Sequence, residues 1–118
     1  MQLKIASRTV DGILAIECSG RIVFGEESSL LRETVRDALS KYKRIVLNLA
    51  EVSYIDSGGL GTLVALHTTA HNAGATIKLA SLTERVGDLL QVTKLLTVFD
   101  VQPSEYAALE SFRKEVAA

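Results

Sequence analysis

Arg44-Ile45-Val46-Leu47-Asn48-Leu49-Ala50 is a run in which β-branched and aliphatic residues follow one another almost without a break. A strand with one face in water alternates apolar and polar residues, whereas a parallel strand covered by helices on both faces is apolar nearly throughout. The run therefore predicts the central strand of an α/β sandwich. A short connection through Glu51-Val52-Ser53-Tyr54 follows, and Leu60, Leu63 and Val64 open a helical stripe. That stripe predicts a helix from near Ser57 to about Ala73, stopped by Gly74, and a further strand at Thr76-Ile77-Lys78-Leu79-Ala80. Strand, helix, strand implies a right-handed parallel crossover.

Toward the N-terminus, apolar residues alternate with polar or small ones from Leu3 to Val10 and from Ile13 to Cys18, with Asp11-Gly12 between them. This is an antiparallel hairpin pattern with a tight-turn dipeptide. After Gly20-Arg21-Ile22-Val23-Phe24-Gly25, the residues Leu31, Val35, Ala38, Leu39 and Tyr42 recur at helical spacing, with Ser28 or Ser29 available as cap. Toward the C-terminus, Thr83 is positioned to cap a third helix bearing Val86, Leu89 and Leu90, and Val98-Phe99 predicts a short strand or extended piece. Pro103 and Ser104 signal the start of a last helix with the stripe Tyr106, Leu109, Phe112 and Val116. The expectation is a mixed sheet of about four to five strands, opened by an antiparallel hairpin and packed against about four helices.

The 118 residues suit one domain, and no linker, repeat or low-complexity stretch divides them, so a single domain over residues 1–118 is expected. Hydrophobic residues make up 47% and charged residues 23%, a globular balance. The formal net charge is -1 and no basic block is longer than the short stretch Lys41 to Arg44, which argues against nucleic acid or anionic lipid as the ligand. A protein partner is expected instead. Cys18 is the only cysteine, so an intramolecular disulfide and a thiolate zinc cluster are excluded, and a reducing cytoplasm fits. Neither a signal peptide nor a bilayer-spanning run is read in the sequence.

Chemistry concentrates at Tyr54-Ile55-Asp56-Ser57-Gly58-Gly59-Leu60-Gly61. Ser57 falls at a loop-to-helix junction, where free backbone N–H groups and the helix dipole favour an added phosphate. Asp56 is suited to capping the helix and places a negative charge beside any such phosphate. Gly58, Gly59 and Gly61 weaken a helix, and their clustering is read as clearance for a partner reaching the hydroxyl. From residue types alone, Asp56-Ser57-Gly58-Gly59 is also the ordinary chemistry of a turn and cap.

The segment Ile55-Asp56-Ser57-Gly58-Gly59-Leu60-Gly61, preceded by the strand Ile45 to Leu49, resembles the signature of STAS-domain anti-sigma factor antagonists, and the order of elements follows theirs over essentially the whole chain. The resemblance implies a non-enzymatic regulator without a cofactor. In that family the serine after the aspartate accepts phosphate from the anti-sigma factor, itself a serine kinase that supplies the ATP, and a serine phosphatase removes it. By that likeness Ser57 is the phosphorylation site. The partner surface would comprise Asp56, Ser57, Gly58, Gly59 and Thr62, flanked by Phe24, Gly25 and Glu26. Where the family often carries a second hydroxyl residue after the acceptor, this chain has Gly58. Where its second strand commonly ends in a glycine followed shortly by an acidic residue, this chain has Gly20-Arg21-Ile22-Val23. The alternative is a STAS scaffold subunit of a lipid-transport or stress-signalling assembly.

Other chemistries are poorly supported. His67 and His71 share a helix face at i, i+4, but Thr68-Thr69-Ala70 between them lacks the metalloprotease glutamate, and no further ligand set is read. Both are expected to be partly buried packing residues on the side of Leu60 and Val64. Ser57 lacks the first glycine of a hydrolase elbow, Gly58-Gly59-Leu60-Gly61 lacks the lysine of a phosphate-binding loop, and Cys18 reads as a small buried apolar residue.

Overall fold

The computed structural model describes residues 2–117. Its elements run β1 (Leu3–Val10), β2 (Ile13–Ile22), α1 (Glu26–Leu39), β3 (Arg44–Ile55), α2 (Ser57–Asn72), β4 (Thr76–Ala80), α3 (Glu84–Val92), β5 (Asp100–Gln102) and α4 (Glu105–Ala117). The five strands form one sheet in the order β1-β2-β3-β4-β5. The β1–β2 pair is antiparallel and the other three pairs are parallel. This is the mixed sheet with an N-terminal hairpin that the sequence pattern predicts.

The hairpin closes through Asp11 and Gly12, both at positive φ (53° and 79°), the geometry whose twist matches that of the flanking strands. Alternation along β3 then divides the interior. Ile45, Leu47 and Leu49 face a large core shared with Leu31 and Val35 of α1, Leu63 and Leu66 of α2, and Val86 and Leu90 of α3. Val46 faces the opposite way, into a smaller core with Ile13, Ala80 and the α4 residues Ala108, Leu109 and Phe112. Helices on both faces explain the continuous apolar run of this strand.

Several boundaries differ from the sequence expectation. β2 continues past Cys18 to Ile22, and β3 continues through Glu51–Tyr54, the stretch read as a connection. Pairing persists there (Ser19↔Glu51, Gly20↔Val52, Arg21↔Tyr54, Ile22↔Ile55), but two register shifts interrupt it. Each shift puts an extra residue into β3 and breaks the alternation on which pattern reading relies. The irregular backbone is held locally: Ala50 N–H donates to Asn48 Oδ1 at 3.0 Å, and Ser53 Oγ donates to the Gly20 carbonyl at 3.3 Å.

α1 begins at Glu26 after Gly25, which has φ +107° and offers no side-chain cap. Ser28, expected as a possible cap, lies within the first turn and donates its hydroxyl to the Val23 carbonyl at 2.7 Å. Thr83 does cap α3, accepting from Val86 N–H at 3.2 Å, and Ser104 Oγ accepts from Ala107 N–H at 3.0 Å at the start of α4. The predicted α4 stripe is half right. Leu109 and Phe112 are buried, but Tyr106 and Val116 are 71% and 59% exposed, because the helix meets the sheet through Ala108, Leu109 and Phe112. Val98-Phe99 is not a strand: the Phe99 side chain enters the large core while pairing with β4 starts at Asp100.

Lys78 carries a feature that strand alternation did not reveal. Its side chain is fully buried beneath α4. Nζ lies 2.6 Å from Ser111 Oγ, 2.8 Å from Glu115 Oε1, 3.0 Å from Asp100 Oδ2 and 4.6 Å from the Phe112 ring centroid. Burial disfavours the ammonium, yet the hydrogen bonds and charges of Glu115 and Asp100 outweigh it, and the lysine pKa is raised. Among the described residues no helix is long and apolar enough to cross a membrane.

Candidate functional site

β3 ends at Ile55 and α2 begins at Ser57, so Asp56 is the hinge residue between sheet and helix. Its backbone is extended (φ -91°, ψ -178°) and its carboxylate Oδ1 accepts from Gly59 N–H at 2.7 Å, a helix cap of ordinary geometry. The same carboxylate also reaches across to the β2–α1 turn, where both oxygens lie 3.1 Å from the Phe24 N–H. The Asp56 N–H donates to the Ile22 carbonyl at 3.3 Å. One residue thus fastens two crossover turns together. The Gly59 N–H, followed by that of Phe24, holds the carboxyl below its ordinary pKa, and the Arg21 charge acts in the same direction.

Ser57 occupies the first position of α2 and is exposed. No hydrogen bond from its hydroxyl is formed among the described residues, so the oxygen is open to an incoming group. Beside it, Phe24 is 81% exposed, an apolar ring standing in water at the tip of the β2–α1 turn, with Gly25 and Glu26 exposed next to it. A groove of about 380 Å³ runs between the starts of α1 and α2, lined in part by Phe24, Ser29, Arg32, Gly58 and Gly61.

The glycines play different parts. A Cβ on Gly59 would stand 2.0 Å from the Ile22 carbonyl oxygen, and one on Gly58 would stand 2.7 Å from Phe24 Cβ. Gly59 lets the start of α2 press against the end of β2 and Gly58 lets it press against the β2–α1 turn, which corrects the view that the cluster serves clearance for a partner. Only Gly61 opens on free space. Thr62, expected on the partner surface, is 4% exposed; its hydroxyl donates to the Gly58 carbonyl at 3.0 Å and stands 3.5 Å from Arg32 Nη2. Gly59 is likewise buried. Both support the corner from beneath. Asp56, Ser57, Gly58, Phe24, Gly25 and Glu26 remain at least partly accessible.

Among the described residues no histidine stands at Ser57. His67 is ten residues along the same helix, roughly 15 Å at 1.5 Å per residue, and its half-buried ring meets Phe99 edge-on at 5.5 Å. His71 is exposed, not packed as the sequence pattern suggested. Cys18 is buried as expected, and burial pushes its thiol up to about 12, with Glu17 adding to the effect.

A STAS domain family model matches residues 4–108. The chain belongs to the STAS domain family. Its relatives include anti-sigma factor antagonists. The anti-sigma F factor antagonist of Paenibacillus polymyxa is 24% identical over 111 residues, spanning 92% of this chain and 94% of the relative. The anti-sigma-B factor antagonist of Bacillus subtilis is 32% identical over 72 residues, spanning 61% of this chain and 66% of the relative. The solved structure of the anti-sigma factor antagonist SpoIIAA in its unphosphorylated form has a TM-score of 0.78 at 17% identity, covering 94% of this chain and 97% of that one. At that identity the likeness speaks for the fold.

Proposed function

We propose that this chain is an anti-sigma factor antagonist whose unphosphorylated form binds an anti-sigma factor serine kinase and releases the sigma factor, and that phosphorylation of Ser57 switches it off. The observation that supports this most is the exposed, unengaged Ser57 hydroxyl at the first position of α2, beside the Asp56 carboxylate and the exposed Phe24 ring. The antagonist relatives point the same way.

In this reading Phe24, Gly25, Glu26, Asp56, Ser57 and Gly58 meet the kinase, while Gly59 and Thr62 hold that surface in shape. The Ser57 oxygen attacks the γ-phosphorus of ATP bound to the kinase, ADP leaves, and the hydroxyl proton passes to a base on the kinase. The product carries about 1.5 to 2 negative charges beside a carboxylate kept ionised by its N–H partners. A surface fitted to a neutral hydroxyl then repels its partner. A serine phosphatase restores the hydroxyl by hydrolysis.

The test is incubation with the anti-sigma factor kinase of the same genome and ATP, with phosphate mapped by mass spectrometry. Phosphate on Ser57 is expected, with Ser57→Asp weakening the complex and Ser57→Ala leaving it bound. A kinase that binds yet leaves Ser57 unmodified refutes the switch, and equal affinity of the two variants refutes the charge argument.

A further inference from the structure

A second feature lies beside the switch, on the other side of Tyr54. The Arg21 guanidinium carbon is 5.2 Å and that of Arg85 5.1 Å from the Tyr54 ring centroid. The three residues come from β2, β3 and the first turn of α3, and the parallel β2–β3 register places Arg21 opposite Tyr54. Both arginines are exposed, and among the described residues neither forms an ion pair with a carboxylate. Each is attracted by the electron-rich face of the ring, and the two cations share this one aromatic.

The cations border an apolar groove. A cleft of about 280 Å³ opens between the end of β3 and α3, lined by Tyr54, Ile55, Val86, Leu89 and Val92 together with Arg85 and Asp88. Val92 is 80% exposed, a large aliphatic side chain left uncovered on a helix whose other apolar residues face the core. Ile55 both lines this groove and precedes Asp56-Ser57, so groove and serine are contiguous along the chain.

We propose that the Arg21–Tyr54–Arg85 corner and the adjoining groove dock an acidic segment of the kinase partner, with one aliphatic or aromatic side chain seated against Leu89 and Val92 and flanking carboxylates on the two guanidiniums. This rests on the reading of Ser57 given above and adds a second contact to it. The apolar side chain supplies affinity by leaving water. The carboxylates supply orientation, because guanidinium binds carboxylate in a fixed bidentate geometry. Asp88 is the carboxylate in the groove lining and opposes an acidic occupant. Replacing it should therefore tighten the complex, a sign that a merely structural role for the groove does not produce.

The experiment measures binding of the full chain to the same-genome anti-sigma factor kinase by calorimetry at low and high salt, together with the rate of Ser57 phosphorylation. Arg21→Glu/Arg85→Glu is expected to weaken binding by roughly tenfold or more at low salt, with the difference shrinking as salt screens the charges. Val92→Asp, a surface change that leaves the fold intact by circular dichroism, weakens it as well, and Asp88→Asn strengthens it a few-fold. Phosphorylation by limiting kinase slows in the arginine variant through KM, with kcat retained. If Ser57→Asp abolishes binding while the arginine, Val92 and Asp88 variants bind like the parent, the docking proposal is wrong and the Ser57 reading stands. If the groove variants weaken binding but Ser57→Asp does not, the switch reading fails and the groove remains. Absence of binding by the parent chain overturns both. Self-association of the chain that the arginine substitutions abolish would assign the groove to a second copy and overturn the proposal.

Discussion

Replacing Gly59 by alanine sets two effects of opposite sign against each other. Alanine is favoured over glycine in a helix by up to about 1 kcal/mol, so a glycine present only to keep the helix start bare should be improved by the change. In this fold, however, the new methyl would lie 2.0 Å from the Ile22 oxygen and 2.7 Å from its carbonyl carbon, both backbone atoms at the end of β2. The helix start would have to retreat by more than an ångström, opening the contact that carries Asp56 and Phe24. Overpacking of this kind costs about 1–3 kcal/mol and occasionally more, and because backbone is the obstacle the upper part of that range applies. The net expectation for Gly59→Ala is a loss of about 2 kcal/mol, or roughly 8 °C in Tm for a domain of this size. Gly61→Ala is the internal control, since nothing lies within 4 Å of its added methyl; it should gain up to about 1 kcal/mol. Urea denaturation followed by circular dichroism, with an unchanged m-value, measures both. If Gly59→Ala is as stable as the parent, or moves in the same direction as Gly61→Ala, the close approach of α2 to β2 is not what the glycine is for.

Three other outcomes follow from the same geometry. Lys78→Ala should cost about 2–4 kcal/mol by leaving a void beneath α4, whereas Lys78→Met, which fills the space while Asp100 and Glu115 remain accessible to water, should cost about 1 kcal/mol or less by the same denaturation assay. Because the folded pKa of Asp56 is lowered, its stabilising contribution is fully present above the unfolded value of about 3.9 and is lost as pH falls through the folded value; the carboxyl carbon resonance of Asp56 should titrate below 3.9, and a midpoint at or above it contradicts the cap. Cys18 should react with an aromatic disulfide reagent at neutral pH only as fast as the protein opens, so labelling should accelerate in urea in step with unfolding.

The central strand, the hairpin and the caps at Asp56, Thr83 and Ser104 were legible in the sequence because each depends on residues close together in the chain. What was not legible depends on tertiary contact. Glu51–Tyr54 looked like a loop because two extra residues in β3 destroy the alternation that would have marked it as strand. The burial of Lys78 has no mark in the sequence around it; it becomes apparent only when Ser111 and Glu115 of α4 and Asp100 of β5 are brought over it. Gly59 and Gly61 are alike in sequence, and only the nearness of Ile22 separates them. Arg21, Tyr54 and Arg85 are far apart along the chain, and no local pattern announces their meeting.

The double attachment of the Asp56 carboxylate, to Gly59 within its own helix and to Phe24 in the neighbouring turn, bears on the thermodynamics of association. A loop that must be ordered on binding charges that entropy against affinity. Here the turn carrying Phe24 and the turn carrying Ser57 are braced against each other before any partner arrives, so the ordering has already been done during folding. A protein meeting this corner therefore meets a braced surface, and in the proposed switch a phosphate on Ser57 would act by changing its charge rather than its shape.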